Sequence, residues 1–286
     1  MNLSDIEEIF NRAFSKAFSR KKFIFLFPIL LSCGILTVFC RALSLGVNHW
    51  VWMSLSFLPI FLSTGVLLAA GVLLTKMYVF EVKGVVYEIG KLFTRSLQLI
   101  MGVSYLCFPL ILAYLILWSI MGVFYLLKQI PAFGDVFGTL LSFGPYLLVL
   151  GSFGLAIVSI LLLFFITPHV ALKKTLEMNI AEEITGRIKS SIFANGLLFF
   201  TGLVPLALVL FFLILGAVMT GSSYFAAKAA LGMSIQWIMM MIPFCAIMTP
   251  FVIFFFNFSL ESYMLLKRKQ EKVSIIEKRK EEPCLV

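Results

Sequence analysis

Long unbroken apolar runs alternate with short polar connections along nearly the whole chain. Six runs reach the length a helix needs to cross the hydrocarbon layer, about 17–25 residues. They cover residues 23–40, 51–75, 97–127, 136–167, 197–220 and 231–260. A membrane β-barrel would instead show period-two alternation over about ten residues per strand. The pattern predicts an all-α membrane protein with six transmembrane helices in a single domain over residues 1–266. Residues 267–286, rich in Lys, Arg and Glu, are expected to form a disordered cytoplasmic tail.

The connections divide the six spans into three hairpins, each with an amphipathic segment ahead of it. Ahead of the first, Ile6, Ile9, Phe10, Ala13, Phe14, Ala17 and Phe18 recur at helical spacing. Ser4 and Glu7 fit a capping box at its start. Ahead of the second, Val82, Val85, Val86, Ile89 and Leu92 form a stripe, and ahead of the third Ile180, Ile184, Ile188 and Ile192 recur every four residues. Such segments are expected to lie as helices in the membrane interface. Arg12, Lys16, Arg20, Lys91, Arg95, Arg187 and Lys189 are then placed to meet lipid headgroups. For residues 5–20 the expectation is a helix with Phe10, Phe14 and Phe18 turned into lipid, packing on the other hairpins being the competing arrangement. Each span also carries a proline, at Pro28, Pro59, Pro109, Pro145, Pro205 and Pro243. These are candidate helix kinks, and their matched placement suggests an internal repeat.

Composition agrees with the pattern: 61% of residues are hydrophobic and 13% charged, against about 25% charged in soluble domains. Charge adds an orientation. Twenty of the 23 Lys and Arg residues fall on one side of the alternating spans; Arg41, Lys128 and Lys228 fall on the other. The positive-inside rule puts both termini in the cytoplasm. The net charge of +9 is accounted for by that topology, and no nucleic-acid-binding signature accompanies it. Residues 1–22 are polar and amphipathic, so the first span is expected to remain in the mature protein rather than act as a cleaved signal. Cys33, Cys40, Cys107, Cys245 and Cys284 form no CxxC pair and no disulfide framework.

Candidate chemistry is sparse. HExxH, GxSxG and P-loop patterns are absent, and His49 and His169 fall on opposite sides. As drawn, the spans hold no Asp, Glu, Lys or His, which argues against an ion-coupled carrier. Asn257, Gln236 and the Ser and Thr residues are expected to stitch helices together. Gly65 with Ala69 allows close helix approach. No catalytic, cofactor-binding or metal-ligating residue is expected.

The run Phe164-Phe165-Ile166-Thr167-Pro168-His169-Val170-Ala171-Leu172, continued by Ile180-Ala181-Glu182-Glu183-Ile184, Ser190-Ser191 and Asn195-Gly196, resembles uncharacterised bacterial polytopic inner-membrane proteins. These are similar to the membrane domain of some glycerophosphodiester phosphodiesterases. The phosphodiesterase barrel itself is absent, so no catalytic residue carries over. The resemblance implies a six-helix, non-catalytic module of the bacterial cytoplasmic membrane. The expected role is membrane organisation or that of an accessory subunit, and the alternative is a permease for a small or lipid-like solute. Expected partners are the lipid bilayer and a membrane protein or second copy, with no nucleic acid and no cofactor.

Overall fold

The computed structural model describes residues 3–85, 87–88, 90–92, 94, 96, 101–102, 105–128, 143–172, 192–224 and 230–281. Its described elements are helical. A short helix, α1 (Leu3–Ser15), precedes α2 (Arg20–Leu43), α3 (His49–Val82), α4 (Phe108–Lys128), α5 (Gly144–Leu172), α6 (Ile192–Tyr224) and α7 (Ala230–Glu281). The chain is a polytopic membrane protein: 6 helices are long and apolar enough to cross a bilayer. Its exterior fits lipid. Phe193 is 85% exposed and Phe200 65% exposed, positions that water would penalise and a hydrocarbon layer accepts.

Consecutive helices pair as α2 with α3, α4 with α5, and α6 with α7, but α7 also packs on α1, α2, α3 and α5. Its longest contact is with α2. The reason lies in one stretch of sequence. Phe254, Phe255, Phe256 and Phe258 are all buried, so this turn of α7 meets partners on every side. Phe164 of α5 lies 5.5 Å from both Phe255 and Phe199 of α6, ring centre to ring centre. Two glycines admit the rings: a Cβ on Gly71 of α3 would lie 2.4 Å from Phe256, and one on Gly202 of α6 2.7 Å from Phe258. Gly65, the glycine marked by the sequence spacing, has only an ordinary 3.7 Å neighbour.

Helix ends correct several boundaries. The third span begins at Phe108, not near residue 97, because a turn at Leu106–Cys107 precedes it. Pro109 and Pro145 therefore stand in the first turns of α4 and α5. Proline is harmless there, since the first N–H groups of a helix have no internal partner; these two are helix starts and not mid-helix kinks. Pro28, Pro59, Pro205 and Pro243 do lie inside helices, joined by Pro168 and Pro250. Helix α3 ends in a Schellman motif: Gly84, at φ 67°, donates to the Glu81 carbonyl, and Val85 donates to Phe80. That left-handed glycine separates Val82 from Val85 and Leu92, so the predicted stripe does not run along one helix. Of the third amphipathic segment, Ile180, Ile184 and Ile188 lie outside the described residues, and Ile192 begins α6. At the other terminus, α7 continues to Glu281 where a disordered tail was expected. Lys, Arg and Glu propagate a helix readily once it has been nucleated.

On helix α1 Ile9 and Ala13 are buried, as is Ala17 in the turn that follows it. Its apolar face meets protein more than lipid. Phe10 packs 5.0 Å from Phe254 and 6.3 Å from Phe258. Asn257 Nδ2 reaches the Ala13 carbonyl at 3.4 Å, and this is the stitching role expected of it. Phe18, in the turn after α1, is 60% exposed, with its ring 5.4 Å from that of Phe14. Asp5 meets Lys269 at 3.1 Å, so α1 and the end of α7 occupy the same end of the bundle, the α1 end below.

Candidate functional site

Polar chemistry gathers at the α1 end of the bundle, and a largely apolar crevice lies at the other end. At the α1 end, Ser19 ends the turn after α1 in extended backbone and accepts the first hydrogen bond of α2 from Phe23. Its hydroxyl does not cap α2 but donates to Glu81 Oε1 at 3.1 Å. Lys22, one turn on, is fully buried. Its Nζ lies 2.6 Å from Glu81 Oε2, 4.8 Å from the centre of the Tyr78 ring and 3.5 Å from the Lys16 carbonyl. An isolated buried ammonium would cost several kcal/mol; the carboxylate, the ring face and the carbonyl offset that here. Tyr78 donates to Glu261 Oε1 at 2.7 Å, and Arg12 lies 3.6 Å from Glu261 Oε2. Tyr87, beyond α3, donates to Glu81 at 3.1 Å. Burial first, and then the Glu81 charge, hold its phenol above the ordinary pKa. The network ties α1, α2, α3 and α7 together and leaves its charges internally paired.

Beside it, Phe164, Pro168, His169, Asn195, Ser262 and Tyr263 surround a cavity of about 30 Å³, enough for a water molecule or two. The Tyr263 hydroxyl is 3.4 Å from His169 Nδ1. Ser259 donates to the Phe164 carbonyl, a bond that fixes α7 on α5. Among the described residues no three His, Cys, Asp or Glu side chains come together as a metal site.

The opposite end is different. There α2 and α6 diverge over α7 and leave a crevice of about 610 Å³. Its walls are Thr37, Val38 and Arg41 of α2 and Leu210, Ile214, Ala217 and Val218 of α6, and its floor is Trp237, Met240, Met241 and Phe244 of α7. The Arg41 guanidinium stacks 5.0 Å above the Trp237 ring. The crevice thus offers one cation at an otherwise almost wholly apolar surface. Its size falls in the about 300–1,000 Å³ range of small-molecule sites.

The predicted headgroup contacts are distributed unevenly. Arg20 is exposed, Lys91 is exposed beside Glu88 at 3.1 Å, and Lys16 is half-buried. Arg12 is engaged by Glu8 at 2.5 Å and by Glu261. Arg95, Arg187 and Lys189 lie outside the described residues. Sequence reading missed Lys22, Glu81 and Glu261 because each falls outside the apolar runs, Lys22 and Glu261 directly at an edge and Glu81 in the connection that follows the second run. Opposite charges on connections of one side were the available signal. Arg41 was read as lying just past the first span, in or near the outer connection, and it stands in the last turn of α2. Comparison of the chain with family models, with curated proteins and with solved structures finds no match.

Proposed function

We propose that the chain is a non-catalytic polytopic membrane module that organises the lipid around it or serves as an accessory subunit, with the α1 end in the cytoplasm. One observation carries this reading. The Lys22–Glu81 and Tyr78–Glu261 groups at the α1 end are paired among themselves, an aromatic core lies above them, and the large crevice opens between α2 and α6. A protein built this way presents surface to the bilayer. The twenty-to-three division of basic residues supports the orientation. The sequence likeness to membrane domains attached to some phosphodiesterases points in the same direction. A second reading, a permease for a lipid-like solute, is favoured by the volume of the crevice and by its single cation.

Two measurements test the proposal. Reporter fusions after Lys128 and Lys228 should read as external, and fusions after Lys91, Lys174 and Lys272 as cytoplasmic. One reversed report removes a span or inverts the orientation. Purified protein in sealed vesicles should accelerate neither the uptake of small solutes nor the exchange of labelled lipid between leaflets. Saturable acceleration of either would establish the permease and overturn the module reading.

A further inference from the structure

We infer that the crevice between α2 and α6 holds a single glycerophospholipid of the leaflet opposite α1, with its phosphate on Arg41 and an acyl chain along Trp237, Met241 and Phe244. The inference rests on the module reading above and names its ligand. Three observations support it. First, Arg41 is exposed at the mouth of the crevice, and among the described residues no carboxylate forms an ion pair with it. A guanidinium with free donors suits a phosphodiester, which it can bind through two parallel hydrogen bonds. Second, stacking on Trp237 at 5.0 Å holds the guanidinium in place, so little ordering remains to be done when a lipid arrives. Third, the surface below it is apolar and flexible. Met240 and Met241 form the floor, and methionine adapts to irregular chains. Thr37 is the only uncharged polar side chain among the described wall residues, so a sugar or amino acid would find few hydrogen-bonding partners there, whereas a hydrocarbon chain needs none. A bilayer also supplies such chains at very high local concentration.

The position of Trp237 makes the inference directly measurable. The full chain is reconstituted in nanodiscs with brominated-chain phosphatidylglycerol at rising mole fraction. Tryptophan emission is recorded for the native protein and for Trp237→Phe, and the difference isolates Trp237. A bound lipid predicts saturable quenching of that component at low mole fraction. Arg41→Gln should raise the mole fraction for half-quenching roughly fivefold, as expected for loss of one cation–headgroup contact of about 1 kcal/mol, and Arg41→Lys should raise it less. Brominated diacylglycerol, which has the chains without the phosphate, should quench native protein and Arg41→Gln alike and without saturation. Ala217→Phe, which fills the crevice from the α6 wall and leaves Arg41 in place, should abolish the saturable phase. It also decides the matter if Arg41→Gln does not fold.

Quenching that rises linearly and is unchanged by Arg41→Gln or Ala217→Phe would overturn the inference. So would a dimeric mass in the nanodisc together with an unquenched Trp237, which would assign the crevice to a second copy. Unsaturable quenching without solute or lipid flux would remove this site alone. Flux together with saturable quenching would instead overturn the module reading and leave the lipid in place.

Discussion

Lys22→Ala should destabilise the bundle by about 3–5 kcal/mol, the cost of leaving one member of a buried ion pair without the other. Lys22 is completely enclosed and lies 2.6 Å from a Glu81 carboxylate that is 18% exposed. Alanine would leave Glu81 facing Tyr78 without its cation. The residual exposure of Glu81 places the loss toward the lower part of that range, since water can reach the orphaned carboxylate. Replacing both members, Lys22→Met with Glu81→Leu, should recover most of the stability, because an apolar pair of similar volume needs no desolvation. It would still forfeit the Ser19 and Tyr87 hydrogen bonds to Glu81, worth about 1 kcal/mol each. Equilibrium unfolding in mixed detergent micelles, followed by circular dichroism and size exclusion, measures both variants against the native protein. A loss under about 0.5 kcal/mol for the single variant would mean that the pair behaves as an exposed one, and the network would not hold the α1 end closed.

That network marks the boundary of what could be read from the sequence. A span is visible because lipid demands a continuous apolar surface, and each of the six was found on that ground alone. What lies at the end of a span is decided by tertiary contact. Lys22, Glu81 and Glu261 each adjoin an apolar residue and look individually like the polar edge of a helix. Only the packing of α7 against α1, α2 and α3 converts three edges into one cluster. The same logic applies to α1. Its apolar periodicity was plain, but the choice between lipid and protein for Phe10 depended on where Phe254 and Phe258 stood, more than 240 residues away in sequence. Pro109 and Pro145 show the opposite limitation. Their resemblance to Pro28 and Pro59 is real in sequence, yet a proline that begins a helix and one inside it have the same local neighbours. The crevice was invisible because it arises from the divergence of α2 and α6, and no residue pattern records an interhelical gap.

Gly71→Ala should cost about 1–3 kcal/mol, the usual penalty for forcing atoms into a filled core, although the same change in an isolated helix is favourable by about 1 kcal/mol. The added methyl would lie 2.4, 2.8 and 2.9 Å from three atoms of the Phe256 ring. That ring is 1% exposed and is followed closely by the Phe255 ring, 5.7 Å centre to centre, so it cannot simply swing outward. Either α3 retreats from α7 or the phenylalanine leaves its rotamer. Phe256→Leu shortens the obstructing side chain and opens a void when made alone. Combined with Gly71→Ala it should be less damaging than the two losses added together, with a coupling of about 0.5–3 kcal/mol. Gly65→Ala is the matched control on the same helix: its methyl meets only Cys107 Cβ at 3.7 Å, and stability should be unchanged or raised by up to about 1 kcal/mol. The native protein and the four variants are compared by dodecyl sulfate titration from mixed micelles, which gives a free energy for each corner of the cycle and for the control. Equal losses at positions 65 and 71, or strict additivity with Phe256→Leu, would show that α3 and α7 do not meet through this glycine. The contact matters for function because α7 carries both Glu261 of the closed end and Trp237 of the crevice, and α3 carries the Glu81 that holds Lys22. A helix pair forced apart at Gly71 should therefore weaken the polar network at one end and, through tilting of α7, alter Trp237 quenching at the other.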